Sequence, residues 1–325
     1  MSRINFDDGS FYVGGLDIEG RPSGIGKYVW GRHNYYEGAF KNGDFNGFGA
    51  RIYPDGGKYE GEWVNDMRQG KGKCTYANGD IYNGEWANDQ PNGEGTLTFS
   101  TGESYTGTFK DNTFNGEGTF KFNEKCIYSG HWVNNQRANF GTQTFEDGSQ
   151  YLGYWFNDMR HGVGTLIYST GDTYEGDWFN DKMEGNGKLT FANGDIYEGD
   201  FKQDKRDGHG KYTWANGEIY EGDIKQDFFE GYGKRTYMNG NAYTGHFKHD
   251  LKEGQGQFVY YDGSIYKGKF KNDKLCGRGK ITLASGYTYE GEFDDNNYNG
   301  YGTLTYPDGH KEAGLFKDGE LVKTN

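Results

Sequence analysis

Apolar and polar residues alternate along this chain in short runs, and the runs return every 23 residues. Tyr59 opens Tyr-Glu-Gly-Glu-Trp and Tyr82 opens Tyr-Asn-Gly-Glu-Trp. Equivalent stretches begin at Tyr36, Tyr105, Tyr128, Tyr151, Tyr174, Tyr197, Tyr220, Tyr243, Tyr266 and Tyr289. Tyr12 precedes Tyr36 by 24 residues, and the step after Tyr289 falls on Glu312, where the copy is degenerate. With the anchor tyrosine as position 1, glycine stands at 3 and tryptophan or phenylalanine usually at 5. A polar stretch fills 6 to 11, Gly-x-Gly follows at 12 and 14, and an aromatic usually at 18. An Asn-Gly or Asp-Gly turn then leads into the next copy.

These positions share parity, which is the spacing of a strand and not of a helix. Each copy therefore reads as a β-hairpin whose two strands are joined by a six-residue polar loop, with Asn-Gly turning toward the next copy. The glycines share the aromatic face and leave room for rings to lie over the backbone. Position 16 adds apolar filling at Leu97, Leu166, Leu189 and Leu304. On the other parity, positions 2 and 4 are often acidic and position 15 is often lysine. If 5 and 12 face each other, Glu60 faces Lys73 and Glu198 faces Lys211. One such hairpin cannot bury its aromatic face alone, but stacked neighbours can. The predicted fold is all-β: an elongated, single-layer antiparallel solenoid of β-hairpins. Residues 1–325 form a single array of about thirteen repeats, with first anchor Tyr12, last full anchor Tyr289 and a degenerate C-terminal cap over 310–319.

Composition alone points two ways. Only 33% of residues are hydrophobic, mean hydropathy is −1.01 and net charge is −13, as in disordered chains. Yet the 325 residues include 28 Tyr, 23 Phe, 7 Trp and 57 Gly. The repeat reconciles these numbers, because rings and glycines occupy a few positions per copy and the remainder is solvated. The acidic balance opposes a nucleic-acid partner. No apolar run is long enough for a membrane helix, and the opening residues lack a signal-peptide core, so a cytoplasmic protein is expected. Three cysteines, Cys74, Cys126 and Cys276, form no CxxC pair.

Tyr-x-Gly-x-[Trp/Phe] followed by Gly-x-Gly at this spacing resembles the MORN repeat (membrane occupation and recognition nexus), over about nine-tenths of the chain. The resemblance implies a β-hairpin solenoid and a non-enzymatic scaffold. Such a scaffold self-associates and tethers protein partners at a cytoskeleton–membrane junction or in a ciliary structure. Two alternatives stand beside it: an adaptor for phosphoinositide or other anionic lipid, and a carbohydrate- or choline-type wall-binding repeat. The absent signal segment and the order of the motif oppose the last. Several copies depart from the pattern. The Tyr128 copy has Asn139 for the first glycine of Gly-x-Gly and Gln143 at the apolar position 16, which reads as drift rather than a kink. Ile224 replaces the ring at position 5. The Tyr266 copy is inverted in charge, with Lys267, Lys269, Lys271, Lys274, Arg278 and Lys280.

No catalytic, metal or cofactor site emerges. The seven histidines are scattered, Gly-x-Gly never completes a nucleotide fingerprint, and HExxH is absent. The run from Asp295 to Gly300 imitates a calcium loop but has Tyr306 where a glutamate is needed. Recurring paired carboxylates are expected to be a structural stripe. Two surfaces are candidates for partners. The first is the aromatic face, where some rings would line an open groove: Tyr59, Trp63, Tyr82, Trp86, Tyr128, Trp132, Tyr151, Trp155, Tyr174 and Trp178. The plainer reading makes these rings core. The second is a loop ridge of mixed apolar and basic residues: Met67, Arg68, Met159, Arg160, Lys182, Lys205, Arg206, Phe228, Phe229 and Lys274. That mixture suits weak anionic-lipid contact, or the side chains fold back over the sheet edge. The partners expected are cytoskeletal or ciliary proteins, and a homodimer through the terminal strand edges.

Overall fold

The computed structural model describes residues 1–324. Those residues form 29 antiparallel strands and no helix, each strand following the last in a meander. They make two compact units, Met1–His161 and Gly162 onward, built from the same copy.

In the first unit the Tyr59 copy is representative. Strands Lys58–Val64 and Met67–Thr75 are joined by Asn65 and Asp66 alone, at φ 48° and 65°. Two successive left-handed residues make the type I′ turn, whose twist matches the strands it joins. The expected six-residue loop is therefore a two-residue turn, and the outer part of the supposed loop is strand. Register runs Tyr59↔Cys74, Glu60↔Lys73 and Gly61↔Gly72, then shifts at a bulge to Trp63↔Arg68. Position 5 thus faces position 10 of its own copy. Position 12 faces position 5 of the next copy, as Gly70↔Trp86. Position 2 does face 15, but the lysines reach forward instead. Lys27 meets Glu37 at 2.9 Å, and in the second unit Lys188 meets Glu198 at 3.6 Å.

The bulge explains the two glycines of Gly-x-Gly separately. Gly70 is left-handed at φ 64°, which most side chains resist. Gly72 has ordinary φ but no space: a Cβ there would sit 2.5 Å from Cζ of Tyr59 and 2.6 Å from Cε2. Asn139 occupies the first site in the Tyr128 copy at φ 52°, a conformation asparagine tolerates. Gln143, 1% exposed, has its amide satisfied by Arg137, the Thr144 carbonyl and Cys126. The ladder continues in register on both sides of that copy, so drift is the correct account of it.

The anchor tyrosines lie flat over these glycine pairs. Tyr59 donates its hydroxyl to the Glu62 carbonyl at 3.1 Å and packs edge-on against Trp63 and Trp86, with centroids 5.0 and 5.1 Å away. Edge-to-face pairs of this kind contribute about 0.5–1.5 kcal/mol beyond burial. Most anchors are thus closed by rings of their own copy and the next, with Leu16 in place of the own-copy ring at Tyr12 and Ile224 in place of the next copy's ring at Tyr197.

Neighbouring hairpins are also stapled at both ends. In the turn at positions 7 and 8, Asp89 accepts the backbone N–H of Arg68 at 2.8 Å, 21 residues back. At the other end, Asp80 accepts the N–H of Ser100 at 2.9 Å. The second unit repeats both staples, with Asp204 accepting from Met183 at 2.9 Å and Asp195 from Ala215 at 2.8 Å.

Candidate partner-binding surfaces

The structure closes the aromatic face. Among the ten residues expected to line an open groove there, none is more than 4% exposed. The five tryptophans at position 5 each donate their indole N–H to the backbone of the preceding copy. Trp63 and Trp86 bond to Gly49 and Gly72 at 3.2 and 3.1 Å. Trp132, Trp155 and Trp178 bond to Gly118, Gly141 and Gly164. A ring that supplies both packing and a satisfied donor is core, so the groove assignment gives way to the plainer reading.

The ridge divides by parity, because positions 9 and 10 are strand residues pointing to opposite faces. At position 9, Met67, Lys182, Lys205, Phe228 and Lys274 are exposed and Met159 is half-buried. At position 10, side chains return to the aromatic layer. Phe229 is buried and stacks on Tyr220 at 3.8 Å. Arg68 lies 4.2 Å over Trp86, and Arg206 lies over Tyr197 and Tyr212. Arg160 lies 5.8 Å over Tyr151. Ridge cations are also already engaged: Arg68 with Asp89 at 3.1 Å, Arg206 with Asp227 at 3.2 Å, Lys182 with Asp204 at 2.6 Å, Lys205 with Gln226, and Lys274 with Asp295. The ridge is thus not a continuous surface of free cations. At position 10 the alternative reading, side chains folding back, describes the structure. Its signal was present, since the column holds Phe45, Phe114, Phe229, Tyr298 or an arginine in most copies.

The acidic stripe is structural as expected, for a reason only geometry supplies. The bulge leaves the N–H of position 13 without a ladder partner, and the position-4 carboxylate accepts it. Glu62 takes the N–H of Lys71 at 3.1 Å, Asp200 that of His209 at 2.8 Å, and Asp223 that of Tyr232 at 3.0 Å. The imitation calcium loop is a hairpin turn, with Asp295 and Asn296 at φ 47° and 74°. Among the described residues no group of three His, Cys, Asp or Glu could hold a metal ion. Burial pushes the Cys74 thiol and the hydroxyls of anchors such as Tyr59, Tyr197 and Tyr266 above their usual range, and Tyr76 to about 12. Burial, with help from Asp195, holds Tyr212 at about 12.

What remains accessible is the face opposite the anchors, and rings stand on it. In the first unit Phe48 is 67% exposed, and Phe140 and Tyr154 touch edge-on at 5.6 Å while half-exposed beside Leu152. In the second unit a groove of about 950 Å³ follows the glycine ladder from Gly245 to Gly302. Positions 2 and 15 form one wall and positions 4 and 13 the other. Tyr232 and Tyr301, 55% and 60% exposed, stand on the latter. Phe48, Phe140, Tyr232 and Tyr301 all occupy position 13, a column the sequence reading left unassigned.

The MORN-repeat profile matches thirteen segments: 18–35, 36–58, 59–81, 82–104, 105–126, 128–150, 151–173, 174–196, 197–219, 220–242, 243–265, 266–286 and 289–311. A search of curated proteins finds no match. Similar solved structures include the Drosophila melanogaster SAS-4 (dCPAP) TCP domain in complex with a proline-rich motif of Ana2 (dSTIL). It is 22% identical, with 48% of this chain and 85% of that chain covered and a TM-score of 0.31. The TCP10 domain of Danio rerio CPAP is 12% identical, with 80% and 94% covered and a TM-score of 0.28. Likeness at these scores carries no functional argument.

Proposed function

Because this chain belongs to the MORN-repeat family, we propose that it serves as a non-catalytic scaffold that holds protein partners on the sheet face opposite its anchor tyrosines. The observation that supports this is the exposure of large rings where the fold does not need them. The core is complete on the other face, yet Phe140 of the Tyr128 copy forms an exposed pair with Tyr154, beside Leu152, of the next copy, the one copy with leucine and tyrosine at positions 2 and 4. Exposed apolar patches on a soluble protein mark contact surfaces, and rings at such sites supply much of the binding energy. The reading extends to a cytoskeletal setting near a membrane, with self-association through terminal strands.

Proximity labelling tests it, using the tagged wild-type chain and the double variant Phe140→Ser with Tyr154→Ser. Loss of protein neighbours from the variant, with an unchanged circular dichroism melt, supports the reading. An identical neighbour set in both chains overturns the assignment of this face. A neighbour set of lipid enzymes alone favours the lipid adaptor.

A further inference from the structure

We infer that the groove of the second unit binds an extended acidic peptide segment, seated over the Tyr266 copy; this rests on the scaffold reading above. Glycine backbone forms the floor. Gly245, Gly256, Gly268, Gly279, Gly291 and Gly302 pair in succession across six strands. At about 4.8 Å per strand this floor runs roughly 24 Å, the length of about seven extended residues. Side chains at these positions would point the other way, into the anchor rings, so the floor between the two walls is bare backbone that another chain can approach.

The walls carry the charge. Lys267 and Lys280 stand directly opposite each other in register, where other copies set a carboxylate against a lysine. Like charges facing across a ladder oppose the fold. Lys280 alone has an acidic neighbour, Glu290 at 3.4 Å. Lys267, Lys269 and Arg278 are exposed and make no ion pair among the described residues. Position 4, which gives the bulge a carboxylate where it is Glu62, Asp200 or Asp223, is Lys269 in this copy. The bulge N–H of Arg278 therefore has no carboxylate acceptor from its own copy, and it lies on the same wall as Lys269, with Lys267 on the wall opposite. A chain of net charge −13 thus concentrates positive charge in one concave place.

The occupant must be anionic and narrow. A bilayer surface is broad and meets the rims first, whereas a linear segment reaches the glycine floor. Tyr232 and Tyr301 stand toward either end of the groove, where they can cover apolar side chains of that segment.

The test uses the purified full chain, a fluorescein-labelled oligoglutamate of about eight residues, and an oligoglutamine control, read by fluorescence anisotropy at two salt concentrations. The double variant Lys267→Glu with Arg278→Glu keeps its fold, since Glu at 267 restores the usual pairing with Lys280. Saturable, salt-sensitive binding of oligoglutamate alone, weakened about tenfold or more by the variant, supports the inference. Equal binding by wild type and variant, or none by wild type, overturns it. Co-sedimentation with phosphatidylinositol-4,5-bisphosphate vesicles but no peptide binding also overturns it, with a lipid headgroup as occupant. The scaffold reading fails separately: it falls if the Phe140 and Tyr154 variant keeps every neighbour, whatever the peptide does.

Discussion

Gly72→Ala tests how the anchors are held. The added methyl group would meet the Tyr59 ring at 2.5 Å from Cζ, far inside van der Waals contact. The ring has nowhere to go: it is wholly buried, fixed by its bond to Glu62 and flanked edge-on by Trp63 and Trp86. Overpacking of this sort costs about 1–3 kcal/mol. φ at Gly72 is ordinary, so backbone strain contributes little. Contacts in such an array are between neighbours, so the loss is expected to be local. Amide hydrogen exchange in strands Lys58–Val64 and Met67–Thr75 should quicken roughly 5–30-fold for each one to two kcal/mol lost, with distant copies unaffected. The decisive measurement is a double-mutant cycle with Tyr59→Ala. That change alone removes a core ring and costs about 3–5 kcal/mol. Once the ring is gone, Gly72→Ala has nothing to strike and should add little. Additivity of the two changes to within about 0.5 kcal/mol would refute the argument that the second glycine exists to seat the ring.

Other outcomes follow from the same geometry. Trp86→Ala removes a buried ring and the indole bond to Gly72, so it should destabilise its region by about 3–5 kcal/mol, seen as local exchange; a native exchange pattern would reopen the groove reading. Alkaline titration should be destabilising: the anchors are raised in the fold, so above about pH 10 the unfolded chain loses protons that the folded chain keeps, and stability falls as pH rises. Urea midpoints flat to pH 9 and dropping beyond 10 would agree, while midpoints unchanged to pH 12 would not. Asp195, held below the usual carboxylate range chiefly by the N–H of Ala215, has the opposite sign: its contribution is present above about pH 4 and is lost as pH falls through the lowered value. Asp195→Asn should therefore flatten the acid limb of the stability curve. Gly70→Asn, placing the residue of site 139 in another copy, should cost less than Gly70→Val, measured by melting, since asparagine tolerates φ 64° and valine does not.

The repeat, its strand parity and the role of rings and glycines were all legible in the sequence, because a period of 23 copied so many times averages away the ambiguity of any one hairpin. The turn was not. Asn65-Asp66 is a less familiar type I′ pair than Asn-Gly, and the polar residues around it disguised strand as loop. That miscount assigned Arg68 and Phe229 to a surface ridge, although both lie on the anchors. The open aromatic groove failed for a related reason. A single sheet has too few rings to cover itself only if position 10 is ignored; its inward side chains supply the missing cover. Position 13 was invisible because its neighbours are polar and its meaning depends on the bulge.

Every staple between hairpins reaches a partner only 19 to 22 residues away. All-β proteins usually fold slowly because distant strands must find each other. Here each strand's partners are its neighbours along the chain, so the contact order is that of a far smaller protein. As synthesis proceeds from the N-terminus, each hairpin can dock on the one before it while the next is still being made. A chain of this design need not be complete before it begins to be folded.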